Sequence, residues 1–302
     1  MTALVYGSGA VGGYFGAKLV LAGEDVVFVA RGANLAALQT RGLRLEGMTR
    51  AALPVVRAVA DPRDAGCCDL VLVCVKSYDT DAAAAALRPA VGRETLVLSL
   101  QNGIENEALL AAGLALPPLL GALCHIGAEM IAPGVVAHGS GGRIVFGEPD
   151  GRVSPRASGL AARLARAGID HHLSRHIDVL LWDKLAWNAA FNACTTITRR
   201  TVGALLADAD GRALVRAAMA EAVEVARASG VALDPARVEP EIARSAAELG
   251  ALRTSMLQDL DRGRRLEYDA LNGAVVRAAA RAGVAAPIHE LLARILSLMQ
   301  PA

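Results

Sequence analysis

The strongest chemical signal in the chain is a polar ridge in the segment LLWDKLAWNAAFNACTTIT. Lys184, Asn188 and Asn192 follow one another at four-residue intervals, so they share one face of a helix. The residues around them are mostly Leu, Ala, Trp and Phe, which predicts a helix that is buried on most sides. Burial is costly for an ammonium group and favours its neutral form. The ridge therefore predicts a lysine that donates a proton near neutral pH. The structural alternative is a lysine that reaches solvent beside asparagines that bond to neighbouring backbone.

More polar residues follow in RTSMLQDLDRGRRLEYDALNG, namely Ser255, Gln258, Asp259, Glu267 and Asn272. A carboxylate close to a buried ammonium group stabilises its charge. Glu267 is therefore the natural candidate partner for Lys184, although on its own it would be interpreted as a surface residue of a helix.

A second signal is a glycine-rich turn near the N-terminus, in ALVYGSGAVGGYFGAKLVLAG. Gly7, Gly9 and Gly12 form G-x-G-x-x-G between a predicted strand and a predicted helix. The first glycine permits the tight turn, the second lets the backbone approach a pyrophosphate, and the third lets helix and strand pack closely. The N–H groups at the start of the helix are then available to phosphates. The predicted cofactor-binding residues of this turn are Gly7, Ser8, Gly9, Ala10, Val11 and Gly12.

The end of the second predicted strand, in DVVFVARGAN, indicates which dinucleotide binds. An acidic residue there would bind the ribose 2′-hydroxyl of NAD. Arg31 stands at about that place instead, while Asp25 lies at the opposite end of the strand. Because a guanidinium matches phosphate oxygens, Arg31 predicts NADP(H) as the cofactor.

Two further polar residues follow buried strands directly. Lys76 comes after LVLVCV, and Asn102 comes after LVLSLQ. In open α/β sheets, ligands bind beyond the carboxyl ends of the strands. Lys76 is therefore a candidate for cofactor phosphate or ribose, and Asn102 a candidate for the substrate or the nicotinamide ribose.

These residues need a scaffold, and the hydrophobic pattern predicts an α/β fold. Apolar runs at Ala3–Tyr6, Val26–Ala30, Leu70–Val75 and Leu96–Leu100 alternate with Ala-rich helical stretches. Continuous apolar runs are typical of parallel strands that are covered on both faces. We expect an N-terminal Rossmann-type, doubly wound parallel sheet at residues 1–175, with hairpin segments from about Gly121. Strand signals fade afterwards, which predicts an all-helical substrate and catalytic domain at residues 176–302.

Composition excludes several other classes of protein. The 302 residues carry 31 basic and 30 acidic side chains, and only 3% are aromatic. That balance disfavours nucleic-acid binding. The uncharged segment from Leu109 to Cys124 is too short and too interrupted to span a membrane, so we interpret it as buried core. The five cysteines and the N-terminus, which does not resemble a signal peptide, favour a reducing, cytoplasmic location.

No metal site is predicted. His172 and His176 have a spacing that could suit a metal, with His171 and Asp178 nearby, but the stretch is rich in Arg and Ser. The adjacent Cys67 and Cys68 are interpreted as small core residues.

Taken together, these blocks resemble the ketopantoate reductase family over essentially the whole chain. The matching segments are GSGAVG, Arg31 after the second strand, VKSYDT, QNGIEN, LWDKLAWNAAFN and TSMLQDLDRGRRLEYDALNG. The resemblance implies NADPH-dependent reduction of a 2-keto acid, ketopantoate, to pantoate on the route to pantothenate and coenzyme A. An asparagine that some members place after the ridge is replaced here by Val202-Gly203, which leaves the identity of the keto acid open.

The resemblance also implies a role for each matching residue. Lys184 matches the family's proton donor. Asn188 and Asn192 match residues of the family that hold the substrate, and Ser255 matches a serine near the substrate carboxylate. Lys76 and Asn102 match cofactor contacts, with Asn102 also reaching the substrate. Glu267 falls at the junction of cofactor and substrate, and Gly127, in CHIGAE, aligns with a backbone contact to the cofactor.

Two other functions remain open at this point. One is a reductase of another 2-keto acid, a β-hydroxyacid dehydrogenase or an imine-type reductase. The other is a module that senses NADP(H) without catalysis, for which the Lys184 ridge would be dispensable. The partner implied in the leading case is a small 2-keto acid, with no nucleic acid and no membrane, and a homodimer is an open alternative to a monomer.

Overall fold

The computed structural model describes residues 2–301. Its strands are β1 (Thr2–Tyr6), β2 (Asp25–Val29), β3 (Leu43–Gly47), β4 (Ala51–Leu53), β5 (Arg57–Val59), β6 (Leu70–Val73), β7 (Leu96–Ser99), β8 (Gly121–Ala132), β9 (Val135–Gly147) and β10 (Asp170–Leu173). Its α-helices are α1 (Ala10–Leu21), α2 (Gly32–Arg41), α3 (Thr80–Leu87), α4 (Asn106–Leu114), α5 (Pro155–Arg166), α6 (Ile177–Thr198), α7 (Val202–Leu206), α8 (Ala209–Ala228), α9 (Val238–Glu248), α10 (Ser255–Asp261), α11 (Ala274–Ala282) and α12 (Pro287–Leu298).

The first sheet is parallel throughout, in the order β5-β2-β1-β6-β7. Strand β6 consists of four consecutive apolar residues, all fully buried, because one apolar layer packs on each face of the sheet. This arrangement confirms the predicted doubly wound sheet. The strand order changes direction between β1 and β6, because β2 and β5 follow on one side and β7 on the other. Strands β1 and β6 are parallel neighbours, so their carboxyl ends lie side by side.

A second sheet follows the order β10-β9-β3-β4, with β8 paired to β9. The long antiparallel β8–β9 hairpin confirms the hairpin expected from about Gly121. The other strands of this sheet were not expected, since β4 has only three residues and carries little hydrophobic pattern. The segment from Leu109 to Cys124 is not uniformly buried as predicted. Leu109 lies on the outer side of α4 and is 41% exposed, while Leu119 to Cys124 lead into the buried start of β8.

From α6 onward the described chain is helical, as predicted, and it has its own hydrophobic core. Helix α8 begins at Asp208, whose carboxylate accepts hydrogen bonds from the N–H groups of Asp210 and Gly211. Helix α11 ends at Gly283, which has φ +71° and so adopts a left-handed conformation. None of the helices between residues 2 and 301 combines the length and apolarity needed to cross a bilayer.

Internal contacts group the chain into two units. The first, the sheet unit, runs up to Gln101 and resumes at Asn106–Ile177. The second, the helical unit, comprises Asn102–Glu105 and the chain from Asp178 onward.

Candidate active site

The glycine-rich turn joins β1 to α1, and its three glycines occupy different surroundings. Gly7 has φ +95°, and a Cβ there would lie 2.6 Å from the backbone nitrogen of Val75. A Cβ on Gly12 would lie 2.3 Å from the carbonyl oxygen of Gly7. A Cβ on Gly9 would meet nothing within 4 Å. The fold therefore requires glycine at positions 7 and 12, whereas at Gly9 glycine keeps a space open in front of the helix.

The start of α1 presents backbone donors to that space. The first hydrogen bond of the helix runs from the N–H of Gly13 to the carbonyl oxygen of Gly9, at 2.8 Å. The N–H groups of Ala10 and Val11 precede this bond and have no acceptor one turn back. An open space beside unsatisfied N–H groups at a helix N-terminus suits a pyrophosphate.

Ser8 has a different role from its neighbours. Its backbone N–H and its hydroxyl both donate to the carbonyl oxygen of Val29, at 3.2 and 2.9 Å. Its own carbonyl accepts a hydrogen bond from Nδ2 of Asn34 at 2.8 Å. Ser8 therefore ties the turn to the end of β2, and its donors are engaged within the protein.

Arg31 lies immediately beyond β2 and caps the N-terminus of α2. Its side chain is exposed, and its guanidinium makes no hydrogen bond or ion pair with any residue from 2 to 301. A guanidinium without a protein partner, at the carboxyl end of the strand next to the turn, is available to an anionic group.

Lys76 follows β6 and begins a 3₁₀ turn at Ser77–Asp79. The carbonyl oxygen of Lys76 accepts a hydrogen bond from Nε2 of Gln101 at 3.4 Å, and the same amide donates to Oγ1 of Thr80 at 2.9 Å. Thr80 in turn donates to the side-chain oxygen of Asn106 at 2.9 Å. The side chains of Gln101, Thr80 and Asn106 are buried, so an internal network fixes the backbone that carries Lys76. Because Gly7 packs on Val75, Lys76 also lies next to the glycine-rich turn.

Asn102 is half-buried and belongs to the short Asn102–Glu105 segment of the helical unit. Glu105 accepts hydrogen bonds from Nη2 of Arg277 at 2.7 Å and from Nη1 of Arg281 at 3.2 Å. Ile104 packs against the helical core. The peptide that carries Asn102 is thus anchored on α11.

The Lys184 ridge lies along α6, where its four-residue spacing continues to Thr196. Lys184 is half-buried, whereas Asn188 and Asn192 are only 9% and 3% exposed. Neither asparagine side chain makes a hydrogen bond with any residue from 2 to 301, yet neither amide is sealed from solvent. The hydroxyl of Thr196 is fully buried and has no partner in the same range. An almost buried amide without a protein partner is unfavourable, and a polar ligand would satisfy it.

Two contacts connect other predicted residues to this helix. Oγ1 of Thr195 lies 2.7 Å from Oγ1 of Thr254, the residue before Ser255, and both threonines are buried. This contact fixes the start of α10, where Ser255 is exposed and its hydroxyl has no hydrogen-bond partner within residues 2–301. Nδ2 of Asn272 donates to the carbonyl oxygen of Ala189, between the two ridge asparagines, at 2.9 Å.

Glu267 lies in the helical unit and is 7% exposed. The preceding residue, Leu266, is held by Gln300, whose side chain accepts from its N–H at 3.0 Å and donates to its carbonyl at 3.1 Å. A π-helical turn follows at Asp269–Gly273 and contains Asn272. Such turns often occur at functional sites because they displace side chains from α-helical register.

Nδ2 of Asn272 also contacts His289 on α12, whereas its Oδ1 is buried and has no hydrogen-bond partner within residues 2–301. Nδ1 of His289 accepts from Asn272 at 3.1 Å, and its Nε2 donates to the carbonyl oxygen of Ala218 at 2.9 Å. Burial lowers the pKa of His289, which keeps the ring neutral and able to accept at Nδ1. Sequence reasoning named Asn272 but had no signal for His289, since the two residues are 17 positions apart.

The remaining candidates lie elsewhere. Gly127 is exposed on β8 next to an irregularity in the β8–β9 register, and a Cβ there would lie 2.5 Å from Oγ of Ser140. Nδ1 of His171 donates to the carbonyl oxygen of Ile169 at 2.9 Å. Within residues 2–301, no three His, Cys, Asp or Glu side chains are grouped so that they could hold a metal ion.

The cysteines near these residues are unreactive. Burial raises the pKa of the Cys194 thiol on α6 to about 12, and it raises the pKa of the Cys74 thiol beside the glycine-rich turn. Both remain protonated at neutral pH, so neither supplies a thiolate nucleophile.

Comparisons with known proteins identify the family and the fold of the chain. The family model described as "Ketopantoate reductase PanE/ApbA" matches residues 3–151, and its C-terminal counterpart matches residues 176–300. The chain is 35% identical to a 2-dehydropantoate 2-reductase of Mesorhizobium japonicum over 91% of this chain and 90% of that protein. It is also similar to the crystal structure of a PanE/ApbA family ketopantoate reductase from Ralstonia eutropha, with a TM-score of 0.92, 37% identity, and coverage of 99% of this chain and 98% of the other.

A D-mandelate dehydrogenase structure, solved with NADH and anilino(oxo)acetate, shares the fold at a TM-score of 0.90. The match covers 99% of this chain and 98% of the dehydrogenase chain, but the sequence identity is only 22%. The chain belongs to the ketopantoate reductase PanE/ApbA family and is an oxidoreductase with a nicotinamide cofactor.

Proposed function

We propose that the protein catalyses the NADPH-dependent reduction of ketopantoate (2-dehydropantoate) to pantoate, in the biosynthesis of pantothenate and coenzyme A. The observation that supports it most is the ridge on α6. Asn188 and Asn192 present two nearly buried amides that have no hydrogen-bond partner among residues 2–301, on the same helix face as Lys184. A small ligand that carries hydroxyl, keto and carboxylate oxygens would satisfy both amides.

The use of lysine in this chain supports the assignment of Lys184. Of its 31 basic residues only three are lysines, namely Lys18, Lys76 and Lys184. Arginine provides positive charge almost everywhere else, but its guanidinium does not give up a proton at physiological pH. A lysine ammonium can both stabilise a developing alkoxide and donate a proton to it.

The cofactor assignment rests on the sheet unit. The open space at Gly9 fits a pyrophosphate, as do the N–H groups of Ala10 and Val11, which have no backbone acceptor within the described chain. The guanidinium of Arg31 is exposed and makes no hydrogen bond or ion pair within the described residues 2–301. It favours a dinucleotide with a 2′-phosphate, so we assign NADP(H) rather than NAD(H). Lys76 is assigned to the cofactor, and Gly127 to a backbone contact with it.

When bound, the reduced nicotinamide supplies a hydride to the keto carbon. The carbonyl oxygen then gains negative charge, and Lys184 stabilises that charge and donates the proton that completes the hydroxyl group. Asn188, Asn192 and Asn102 orient the substrate through their amides, which serve as both donors and acceptors. We assign the substrate carboxylate to the exposed hydroxyl of Ser255. Glu267, buried in the same unit, is the candidate counter-charge for the ammonium group.

The test is the consumption of NADPH by purified protein, with ketopantoate compared with other branched 2-keto acids and with NADH. Lys184→Ala should lower kcat by about 10²- to 10⁴-fold, the usual contribution of a general acid. Lys184→Arg should remain nearly as slow, because it keeps the charge and cannot release the proton. Lys18→Ala, in the last turn of α1, is the matched control and should keep wild-type kcat.

Each alternative predicts a different result. Turnover of another keto acid in place of ketopantoate would keep the mechanism and contradict the proposed substrate. Binding of NADPH without turnover of any substrate would favour a sensor. Wild-type kcat in Lys184→Ala would contradict the assignment of the proton donor.

A further inference from the structure

Ser8 links the glycine-rich turn to the strand that leads into Arg31. It donates twice to the carbonyl oxygen of Val29, two residues before the arginine. Its own carbonyl accepts from Nδ2 of Asn34, three residues after the arginine. The short segment that carries Arg31 is thus attached to the same residue on both sides.

Asn34 uses both ends of its amide. Nδ2 donates to Ser8, and Oδ1 accepts from the N–H of Gly134 in the β8–β9 turn at 2.9 Å. The donor and the acceptor are both engaged over distances typical of good hydrogen bonds. This side chain on α2 therefore links the glycine-rich turn to the β8–β9 hairpin, and we call the pair of hydrogen bonds the Asn34 clamp. Gly134 of the hairpin is 100 positions from Asn34 in sequence.

From these contacts we infer that Asn34 is a positioning residue for cofactor selection, an inference that rests on the proposed function. A pyrophosphate bound at Ala10 and Val11 and a 2′-phosphate bound at Arg31 belong to one molecule, so the two anion-binding groups must be held at a fixed separation. Ser8 lies next to the N–H groups of Ala10 and Val11. Its hydrogen bonds with Val29 and Asn34 hold the segment that carries Arg31. Without the Asn34 side chain, the hydrogen bonds between the Arg31 segment and Ser8 of the glycine-rich turn run through Val29 alone. The gain in affinity that a 2′-phosphate gives to the dinucleotide should then fall.

The test compares dissociation constants for NADPH, NADH and adenosine 2′,5′-bisphosphate, measured by fluorescence or calorimetry. Asn34→Leu has a similar volume and removes both hydrogen bonds without adding charge. We expect its Kd for NADPH and for the bisphosphate to rise at least tenfold, and its Kd for NADH to rise less than threefold. At saturating NADPH, kcat should stay within twofold of wild type, because the reacting groups are untouched.

Gln39→Leu is the matched control. Like Asn34→Leu, it replaces a side-chain amide on α2 by leucine. It removes a hydrogen bond from Nε2 of Gln39 to the carbonyl oxygen of Ala58, and it leaves the hydrogen bonds of Ser8 in place. Its NADPH-to-NADH preference should equal that of the wild type. If Asn34→Leu does not fold, Asn34→Ala also removes both hydrogen bonds without adding charge, and it should show the same loss of preference.

The outcomes separate this inference from the proposed function. A wild-type protein without preference for NADPH would refute the cofactor assignment, and the inference with it. A wild-type preference that survives in Asn34→Leu, or equal loss of NADPH and NADH affinity, would overturn the inference alone.

Discussion

Replacing Gly9 by alanine should separate cofactor binding from folding. The backbone at Gly9 has φ −79° and ψ −151°, which an alanine can adopt, and its Cβ would have no neighbour within 4 Å. A glycine-to-alanine change at a compatible position stabilises a protein by about 0.4–1 kcal/mol, chiefly by restricting the unfolded chain. We therefore expect Gly9→Ala to fold with unchanged or slightly increased stability.

The same methyl group should abolish tight cofactor binding. It occupies the space in front of the N–H groups of Ala10 and Val11, where the pyrophosphate is proposed to bind. Losing two hydrogen bonds to a charged group, at about 1.5–3 kcal/mol each, weakens binding by about 3–6 kcal/mol. This corresponds to a rise in the NADPH Kd of at least about 100-fold.

Gly12→Ala is the contrasting variant, because its Cβ would lie 2.3 Å from the backbone oxygen of Gly7. Relieving that contact requires helix and strand to separate, and overpacking of this kind costs about 1–3 kcal/mol. The assays are urea unfolding and titration of NADPH fluorescence for both variants. Wild-type NADPH affinity in Gly9→Ala, or a loss of stability in Gly9→Ala equal to that in Gly12→Ala, would refute this reasoning.

Two further predictions concern buried charge. The first is that Glu24→Gln removes the charged partner of Arg163, whose Nε lies 2.8 Å from Oε2 of Glu24 and whose side chain is only 8% exposed. Urea unfolding should show that the free energy of unfolding falls by about 3–5 kcal/mol, because an uncompensated charge stays buried. A fall below about 1 kcal/mol would contradict this prediction. Because burial lowers the pKa of His289 below its ordinary 6.5, the unfolded chain binds this proton more readily than the folded protein. Its contribution to stability is thus complete above about pH 6.5 and is lost as the pH falls toward the folded pKa, by up to about 1.4 kcal/mol per pH unit. Urea unfolding between pH 7.5 and 5 should show a shallower decline in His289→Gln, and an identical slope would refute this.

Much of the fold follows from local patterns in the sequence. Four continuous apolar runs predicted the central parallel strands to within two residues at each end, because strands buried on both faces must be apolar throughout. The helical second half was predicted because strand signals fade after about residue 176 and the rest of the chain is rich in alanine. Of the second sheet only the β8–β9 hairpin was predicted. Strands β3, β4 and β10 were missed, since they are short and are held by pairing with distant strands, β3 and β10 with β9 and β4 with β3, which no local pattern encodes.

The candidate residues of the active site divide in the same way. Spacing alone placed Lys184, Asn188 and Asn192 on one helix face, because helical geometry fixes which residues share a face. Spacing could not show that the two asparagines lack partners in the described chain, since that depends on every element packed around α6.

The sequence by itself determined the chemistry available to this protein: a glycine-rich turn before a helix, an arginine where an acid would select NAD, and a lysine on an amide ridge. Only the tertiary structure decided how these groups are held. Position 9 tolerates a side chain that position 12 does not, although both are glycine in the sequence. Asn34 reaches Gly134, and Thr195 reaches Thr254, across long stretches of chain. Local sequence sets backbone preference and hydrophobic pattern, whereas a clamp of this kind exists only after distant segments have packed together.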